Sequence, residues 1–331
     1  VSLPSRDELG ELVQALRQSP GWEAKRDLQF VAKTSGGPAG PANGDDCAAF
    51  PDGAGGYLLL AAEAMWPELV RSEPFFAGYC SVMVNVSDVA AMGGRPLGLV
   101  DTLWTDGPGR AGPLWDGLCE GARRFGVPLA GGHTNVRSPY DALGVAILGR
   151  AQRLITSFDA RPGDALVAAI DLRGEMHPRH AFWNASHAPA SRLQGDLALL
   201  PRLAEEGLCL AGKDISMAGV LGSLLMLLEC SRVGAVVDLS TLPRPPALSR
   251  DFETELRWLR AFPSFGFVLA VAPEKVAAVC ETFAARDIAA GVVGTVHEGS
   301  TVSLRSNGAR ATLWDFADAP FMGFPGRQVA T

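Results

Sequence analysis

No run of apolar residues in this chain is long enough to cross a bilayer, so a membrane-spanning helix is excluded and no membrane partner is expected. Positive charge is scarce: 29 Lys and Arg against 36 Asp and Glu leave a net charge of −7. The basic residues are dispersed, whereas a nucleic-acid binder gathers them on one face to neutralise phosphates, so nucleic acid is not an expected partner. The six cysteines (Cys47, Cys80, Cys119, Cys209, Cys230, Cys280) contain no C-x-x-C pair and have mostly apolar neighbours. That argues against zinc or a disulfide framework and for buried free thiols. The first residues, Val1-Ser-Leu-Pro-Ser-Arg6, show neither a basic segment before an apolar stretch nor a small-residue cleavage site, and a cytoplasmic location is the expectation. The G-x-x-x-x-G-K-[ST] phosphate loop and the G-x-S-x-G elbow are both missing, which removes the motif basis for P-loop and α/β-hydrolase chemistry.

What is present is an ordinary globular composition, 47% hydrophobic and 20% charged over 331 residues. That length exceeds the usual growth of one core, so two domains are expected. The turn sequence Ala160-Arg-Pro-Gly-Asp164 restarts the chain, and the expected division is 1–155 and 156–331. Ser5-Arg6-Asp7-Glu8 reads as a capping box ahead of Leu9, Leu12, Val13 and Leu16 at helical spacing. Residues 34–44, rich in Gly and Pro, predict a flexible loop. In the first half, patterning predicts strands over 57–62, 97–103, 127–130 and 142–150 and helices over 75–92 and 114–125. Phe75, Tyr79, Val82, Met83, Val86 and Val89 form one apolar helix face, with Asp88 off it. The second half alternates strands 165–170, 235–239, 266–271 and 290–296 with helices 216–231, 251–261 and 274–286, an α/β pattern compatible with a parallel or a mixed sheet.

Acidic residues carry the chemistry: Asp45 and Asp46 after the Gly-rich loop, Glu63 just after a strand, Asp88 on a mostly apolar helix and Asp214 ahead of another. A carboxylate beside core positions is costly unless paired or metal-bound, and few Lys or Arg lie near these in sequence. Hard oxygen donors of this kind suit Mg²⁺. At about 4 Å and an effective dielectric of about 20, each carboxylate facing a phosphate oxygen is repelled by roughly 4 kcal/mol. The cluster therefore cannot hold bare ATP; with Mg²⁺ between the two sets of oxygens the sign reverses and a phosphoryl-transfer site results. Taken singly, each acid reads equally well as a helix cap or a solvated turn residue. Gly131, Gly132, His133, Thr134 and Asn135 follow strand 127–130, and paired glycines let backbone N–H groups approach an anion. Gly107-Pro-Gly-Arg-Ala-Gly112 matches G-x-G-x-x-G, but Pro108 and Pro113 count against a turn into a helix and no acid ends strand 127–130, so it reads as a loop. Cys47, against two carboxylates, would be a poor nucleophile and reads as a buried small residue. His177, His180 and His187, interrupted by Pro178, read as a polar loop more readily than as a metal site. The stretch 171–183 concentrates Arg173, His177, Arg179, His180 and Trp183, a cationic fork and an aromatic wall suited to an anionic or planar acceptor; a solvated surface loop is the alternative.

Together these segments resemble the AIR synthase-like superfamily, which includes thiamine-monophosphate kinase, selenide water dikinase and hydrogenase maturation factor E. Gly44-Asp-Asp-Cys-Ala48 looks like the G-D-D-A-A metal motif, Asn85-Val-Ser-Asp-Val-Ala-Ala-Met-Gly-Gly-Arg-Pro96 like N-x-S-D-x-A-A-M-G-x-x-P, Gly131-Gly-His-Thr134 like G-G-[DH]-[ST], and Asp214-Ile-Ser216 like D-[IV]-[ST]-D-G. The likeness is nearest to an AIR synthase-related subgroup outside those named enzymes. Met217 stands where the last segment has its second Asp, and His133 where the thiamine kinases have Asp. The resemblance implies a two-domain α+β or α/β fold, with a PurM-like N-terminal domain whose β-sheet forms a barrel across a homodimer and a PurM-like C-terminal α/β domain for the acceptor. It implies that Asp45, Asp46, Asp88 and Asp214 hold Mg²⁺, with Glu63 where a metal-binding Asp usually stands, and that Asp88 and Asp214 serve catalysis. Gly44, Asn85 and the 131–135 segment would contact ATP. The activity implied is transfer of the γ-phosphoryl group to an oxygen of a small-molecule acceptor. A nucleotide-binding regulator without turnover, a selenide water dikinase-like or thiamine-monophosphate kinase-like activity, and a structural dimerisation module are the rival readings.

Overall fold

A computed structural model of the chain describes residues 6–34, 43–249 and 251–324. The capping box at Ser5 and residues 35–42 of the Gly/Pro-rich stretch lie outside them. In chain order the helices are α1 (Arg6–Arg17), α2 (Pro20–Arg26), α3 (Leu28–Thr34), α4 (Pro67–Ser72), α5 (Pro74–Ala91), α6 (Pro108–Phe125), α7 (Ala190–Leu197), α8 (Leu199–Glu205), α9 (Gly219–Ser231), α10 (Phe252–Arg260) and α11 (Val276–Ala284). The strands are β1 (Ala48–Pro51), β2 (Tyr57–Ala64), β3 (Arg95–Asp106), β4 (Leu129–Asn135), β5 (Arg137–Ala151), β6 (Ala165–Ile170), β7 (Glu175–Met176), β8 (Phe182–Asn184), β9 (Ala211–Asp214), β10 (Gly234–Asp238), β11 (Phe262–Pro263), β12 (Gly266–Val271), β13 (Ala289–His297), β14 (Thr301–Ser306) and β15 (Ala309–Asp315). They form two compact units, neither continuous in sequence: Asp46–Leu154 with Ala188–Glu205, and Val1–Asp45 with Ile155–His187 and Glu206–Thr331.

The first unit is a five-stranded sheet ordered β1-β2-β5-β3-β4, antiparallel except for the β3/β4 pair. Alternation sets its two faces. Leu59, Leu99, Leu103, Leu143, Val145 and Ile147 are buried, whereas Leu58, Leu60, Val100 and Leu148 are exposed, with Leu60 opposite Leu148 and Val100 opposite Ala146 in the register. Helices α5 and α6 pack along each other, and α7 and α8 pack against α6 and α5. An ion pair between Arg95 and Glu205 and a bond from Gln194 to the Arg124 carbonyl tie the later helices down.

Glycines set the approach of α5 to α6. A Cβ on Gly78 would stand 2.0 Å from the Leu114 carbonyl oxygen, and one on Gly117 1.9 Å from that of Phe75. Because the backbones touch there, α5 is buried on nearly every side, and Asp88, off the apolar stripe, is only 7% exposed. Phe75, placed on that stripe by its spacing, is instead about half exposed.

Two loop readings are corrected. Residues 107–112 are the start of α6: Pro108 occupies its first turn, where a missing N–H is harmless, and Pro113 stands within the helix. Residues 131–135 are not a turn but part of β4, paired in parallel with β3. Glu63 likewise lies within β2, not after it.

The second unit carries a seven-stranded sheet, β15-β14-β10-β13-β6-β12-β9, in which only β10/β14 is parallel. The alternation of the second half thus builds a mixed, mainly antiparallel sheet, and the fold is α+β. Helix α9 is apolar all round and buried from Gly219 to Cys230, as a helix in a core must be. Predicted helix 274–286 is divided into a 3-10 turn, Pro273–Lys275, and α11. Of the six thiols, four are buried; Cys119 is exposed and Cys280 half-buried, which corrects the expectation for those two.

Substituting Gly117→Ala should lower the stability to urea by about 1–3 kcal/mol, since the methyl must displace backbone. Gly112→Ala, on the same helix with nothing within 4 Å of the added Cβ, should be neutral or stabilising by up to about 1 kcal/mol. Equal effects would show that the close approach does not limit packing.

Candidate functional site

The carboxylate oxygens of Asp46 and Asp88 come within 4.8 Å of each other in the first unit. Asp46 is half-buried just ahead of β1, and Asp88 is buried on α5. At that separation and an effective dielectric of about 20, two ionised carboxylates repel by roughly 3 kcal/mol. A dication between them reverses the sign. One turn before Asp88, Asn85 is fully buried; its amide donates to the Ser81 carbonyl (2.8 Å), and its Oδ1 has no hydrogen-bond partner among the described residues. Glu63 is exposed on β2 opposite Val145 and stands outside this pair.

Strand β4 is the edge of its sheet, and its Gly131, Gly132, His133 and Thr134 are exposed. The His133 ring lies 5.6 Å from that of Trp104, and Asn135 Oδ1 accepts the Arg137 N–H (2.9 Å). Gly132 is required by its neighbour: a Cβ there would stand 2.0 Å from Asp101 Oδ1. Asp101 is a residue the sequence reading missed. It is 2% exposed, and its Oδ2 has no hydrogen-bond partner among the described residues. Burial pushes its carboxyl above the ordinary aspartate range, against the opposing pull of its own backbone N–H and of His133. The signal was the alternation Leu99, Asp101, Leu103, which puts an acid at an inward position.

In the second unit, Asp45 is held in place: its Oδ1 accepts both the N–H and the Oγ–H of Ser157 at 3.0 and 2.9 Å. Gly44, before it, has φ +114°, a conformation that favours glycine. Asp214 ends β9 and is buried, as is Lys213. The turn that follows leads into α9 through Gly219 (φ +68°), whose added Cβ would meet the Leu259 carbonyl at 1.9 Å, and Met217 in that turn is exposed.

The 171–183 stretch also belongs here. His177, Arg179 and His180 share a short loop between β7 and β8. Arg257 bonds the carbonyls of His177, Pro178 and His180, His177 Nδ1 accepts the N–H groups of Arg179 and His180 (3.2 Å each), and the two imidazoles stack at 4.9 Å. Arg173 is drawn to Asp171 (2.8 Å) and Asp287 (3.6 Å). Trp183 is buried, with its N–H on the Asp171 carbonyl and its ring edge-on to Trp258. The wall read from sequence is therefore a core residue. His187 lies beyond β8, 3.9 Å from Glu175.

Against known proteins, residues 44–151 match the family described as AIR synthase related protein, N-terminal domain, and residues 182–307 its C-terminal domain. This chain belongs to the AIR synthase related family. A protein from Synechocystis sp. is 45% identical over 325 residues, 96% of this chain and 99% of its own length. The thiamine-monophosphate kinase of Synechococcus elongatus is 29% identical over 79% of this chain and 86% of its own. Among solved structures, T. maritima PurL complexed with ATP superposes with a TM-score of 0.68 at 20% identity over 88% of this chain. That is 47% of the PurL chain, so this chain spans about half of it, and the likeness speaks for the PurM-like fold alone. Among the described residues no helix is long and apolar enough to cross a membrane. The two AIR synthase related matches run through Asp45, Asp46 and Asp88 in one case and Asp214 in the other.

Proposed function

We propose that this AIR synthase related protein binds Mg²⁺·ATP and transfers the γ-phosphoryl group to an oxygen of a small acceptor. The observation that carries the reading is the approach of the Asp46 and Asp88 carboxylates beside an apolar helix. Two short carboxylates suit a hard dication that takes one or two protein oxygens and completes its shell with water and phosphate. With Mg²⁺ bound, the site gains the positive charge that holds and polarises phosphate oxygens. Asp46 and Asp88 would hold it; Asp45, fastened to Ser157, supports the backbone beside them. The exposed edge of β4 from Gly131 to Asn135 offers backbone N–H groups to phosphate, and Asn85 orders the helix turn that carries Asp88. Asp214 is assigned to the transferring phosphoryl group on the strength of the family motif. No protein nucleophile is needed, because positioning and electrostatics supply most of the barrier lowering in such transfers. The likeness to a thiamine-monophosphate kinase supports ATP use. The exposed Met217, where the family motif has an acid, favours the second reading, a nucleotide binder without turnover.

Asp46→Asn and Asp88→Asn should each weaken Mg²⁺·ATP binding at least about tenfold, about 1.4 kcal/mol, with the melting temperature little changed. Wild-type affinity in both, by calorimetry, would end the metal assignment.

Acceptor choice is placed on the loop that Arg257 pins. Arg173 is engaged by acids and Trp183 lies in the core, so the reading rests on the guanidinium and imidazole chemistry that His177, Arg179 and His180 bring together in that loop. Replacing Arg179 and His180 together by Ala should keep Mg²⁺·ATP affinity within about twofold while abolishing acceptor-dependent ADP release. Undiminished release would make the loop a bystander, and absence of any release from the wild type across candidate acceptors would favour the regulator.

The protein is further proposed to be a homodimer joined through the sheet of the first unit. Its outer face shows Leu58, Leu60, Val100 and Leu148 to solvent, apolar surface that soluble proteins usually cover. Sedimentation should give twice the chain mass of 34.8 kDa, and Leu60→Lys should shift the protein towards monomer; a monomeric wild type would refute the interface.

A further inference from the structure

Glu229 interrupts an otherwise apolar helix. From Val220 to Cys230, α9 is buried, and Glu229 is itself only 7% exposed. Its carboxylate accepts three successive backbone N–H groups, from Phe321 (2.7 Å), Met322 (2.6 Å) and Gly323 (3.2 Å). Charge-assisted bonds of this kind are stronger than neutral ones, and three of them hold a carboxylate that burial alone would disfavour. The segment they capture is also fixed by packing. Phe321 is fully buried and edge-on to Trp22 and Trp314, at 5.4 and 5.3 Å, and Gln29 donates to the Pro320 and Phe321 carbonyls.

The next two residues of α9 reach different partners. Cys230 Sγ lies 3.4 Å from the Gly44 carbonyl oxygen. Ser231 Oγ donates to the Ser157 carbonyl at 2.8 Å and accepts the Ala160 N–H at 3.1 Å. Ser157 in turn makes the two bonds to Asp45. The captured tail closes the circle, because a Cβ on Gly44 would stand 2.9 Å from Cys230 Sγ and 3.0 Å from the Cβ of Phe324. Gly44 is thus held between the helix end and the tail, and Asp45 is held from its other side.

We propose that Glu229, Cys230 and Ser231 are positioning residues: the last turn of α9 gathers the segments around 44, 157 and 321–324 and so fixes the backbone at Gly44 and Asp45, from which Asp46 follows directly. A shift of Asp46 by about 1 Å is enough to degrade a metal site of defined geometry, which is why such a brace matters to binding. The consequence for Mg²⁺ rests on the function proposed above; the anchoring of Gly44 and Asp45 does not.

The test uses the full chain and the variants Glu229→Gln, Ser231→Ala and Ser157→Ala, with Ser231→Thr as the conservative control. Amide hydrogen exchange at residues 44–47 should be about tenfold faster in the first three than in wild type, with β3 and β5 unchanged and the control close to wild type. The Mg²⁺ concentration for half-maximal ATP binding should rise about fivefold in the same three, with the maximum binding retained. If Glu229→Gln does not fold, the two serine variants, each removing one hydroxyl, decide the matter. Exchange at 44–47 within about twofold of wild type in both serine variants overturns the proposal. A wild type without Mg²⁺-dependent ATP binding would overturn the function and leave the exchange result to decide the brace.

Discussion

Backbone contact between α5 and α6 is the constraint on which the first unit depends. Where Gly78 and Gly117 let the helices touch, no side chains separate them, and the helix carrying Asn85 and Asp88 is enclosed instead of lying on a surface. In the function proposed above, enclosure is what suits Asp88 to a metal: an exposed aspartate at the same helical position would be screened by water and would bind a cation weakly, whereas a buried one close to a second carboxylate would be stabilised by it far more.

Much of this was legible in the amino-acid order. The strand Gly266–Val271 matches its patterning residue for residue, and α5 and β6 are found where their periodicity put them, because each buries a face with an unbroken apolar repeat. Glycine and proline misled where local rules were applied without tertiary context. Pro108 opens a helix instead of stopping one, and Gly131 and Gly132 lie in a strand because β3 pairs with them, with the Asp101 carboxylate leaving no room for a side chain at Gly132. Helices α7 and α8 left no clear trace, since their apolar residues are fitted to α5 and α6 of the first unit and not to their sequence neighbours.

The site was legible in part. Asp46 and Asp88 are found together as their motifs suggested. Asp45 turned out to be tied to Ser157, more than a hundred residues away, a partner that no local pattern reveals. Trp183 looked like a binding wall because aromatic and cationic residues cluster around it in sequence; packing against Trp258 and the bond to the Asp171 carbonyl hold it in the core, while Arg179 remains outside. Asp101 and Glu229 were overlooked for the opposite reason. Each is a single acid inside an apolar stretch, and the backbone groups that hold Glu229 come from about ninety residues further along the chain.

The second unit joins α1 to β15, elements far apart in the sequence. Arg17 in α1 bonds the carbonyls of Thr312 and Leu313 on β15, and its guanidinium lies over the Trp314 ring. A chain made from its N-terminus therefore holds α1 without its partner until β15, 295 residues beyond Arg17, has been synthesised. The first unit has all its elements once α8 has emerged, so on the ribosome it can close well before the second, and the apolar stripe of α1 spends that interval as surface a chaperone can hold.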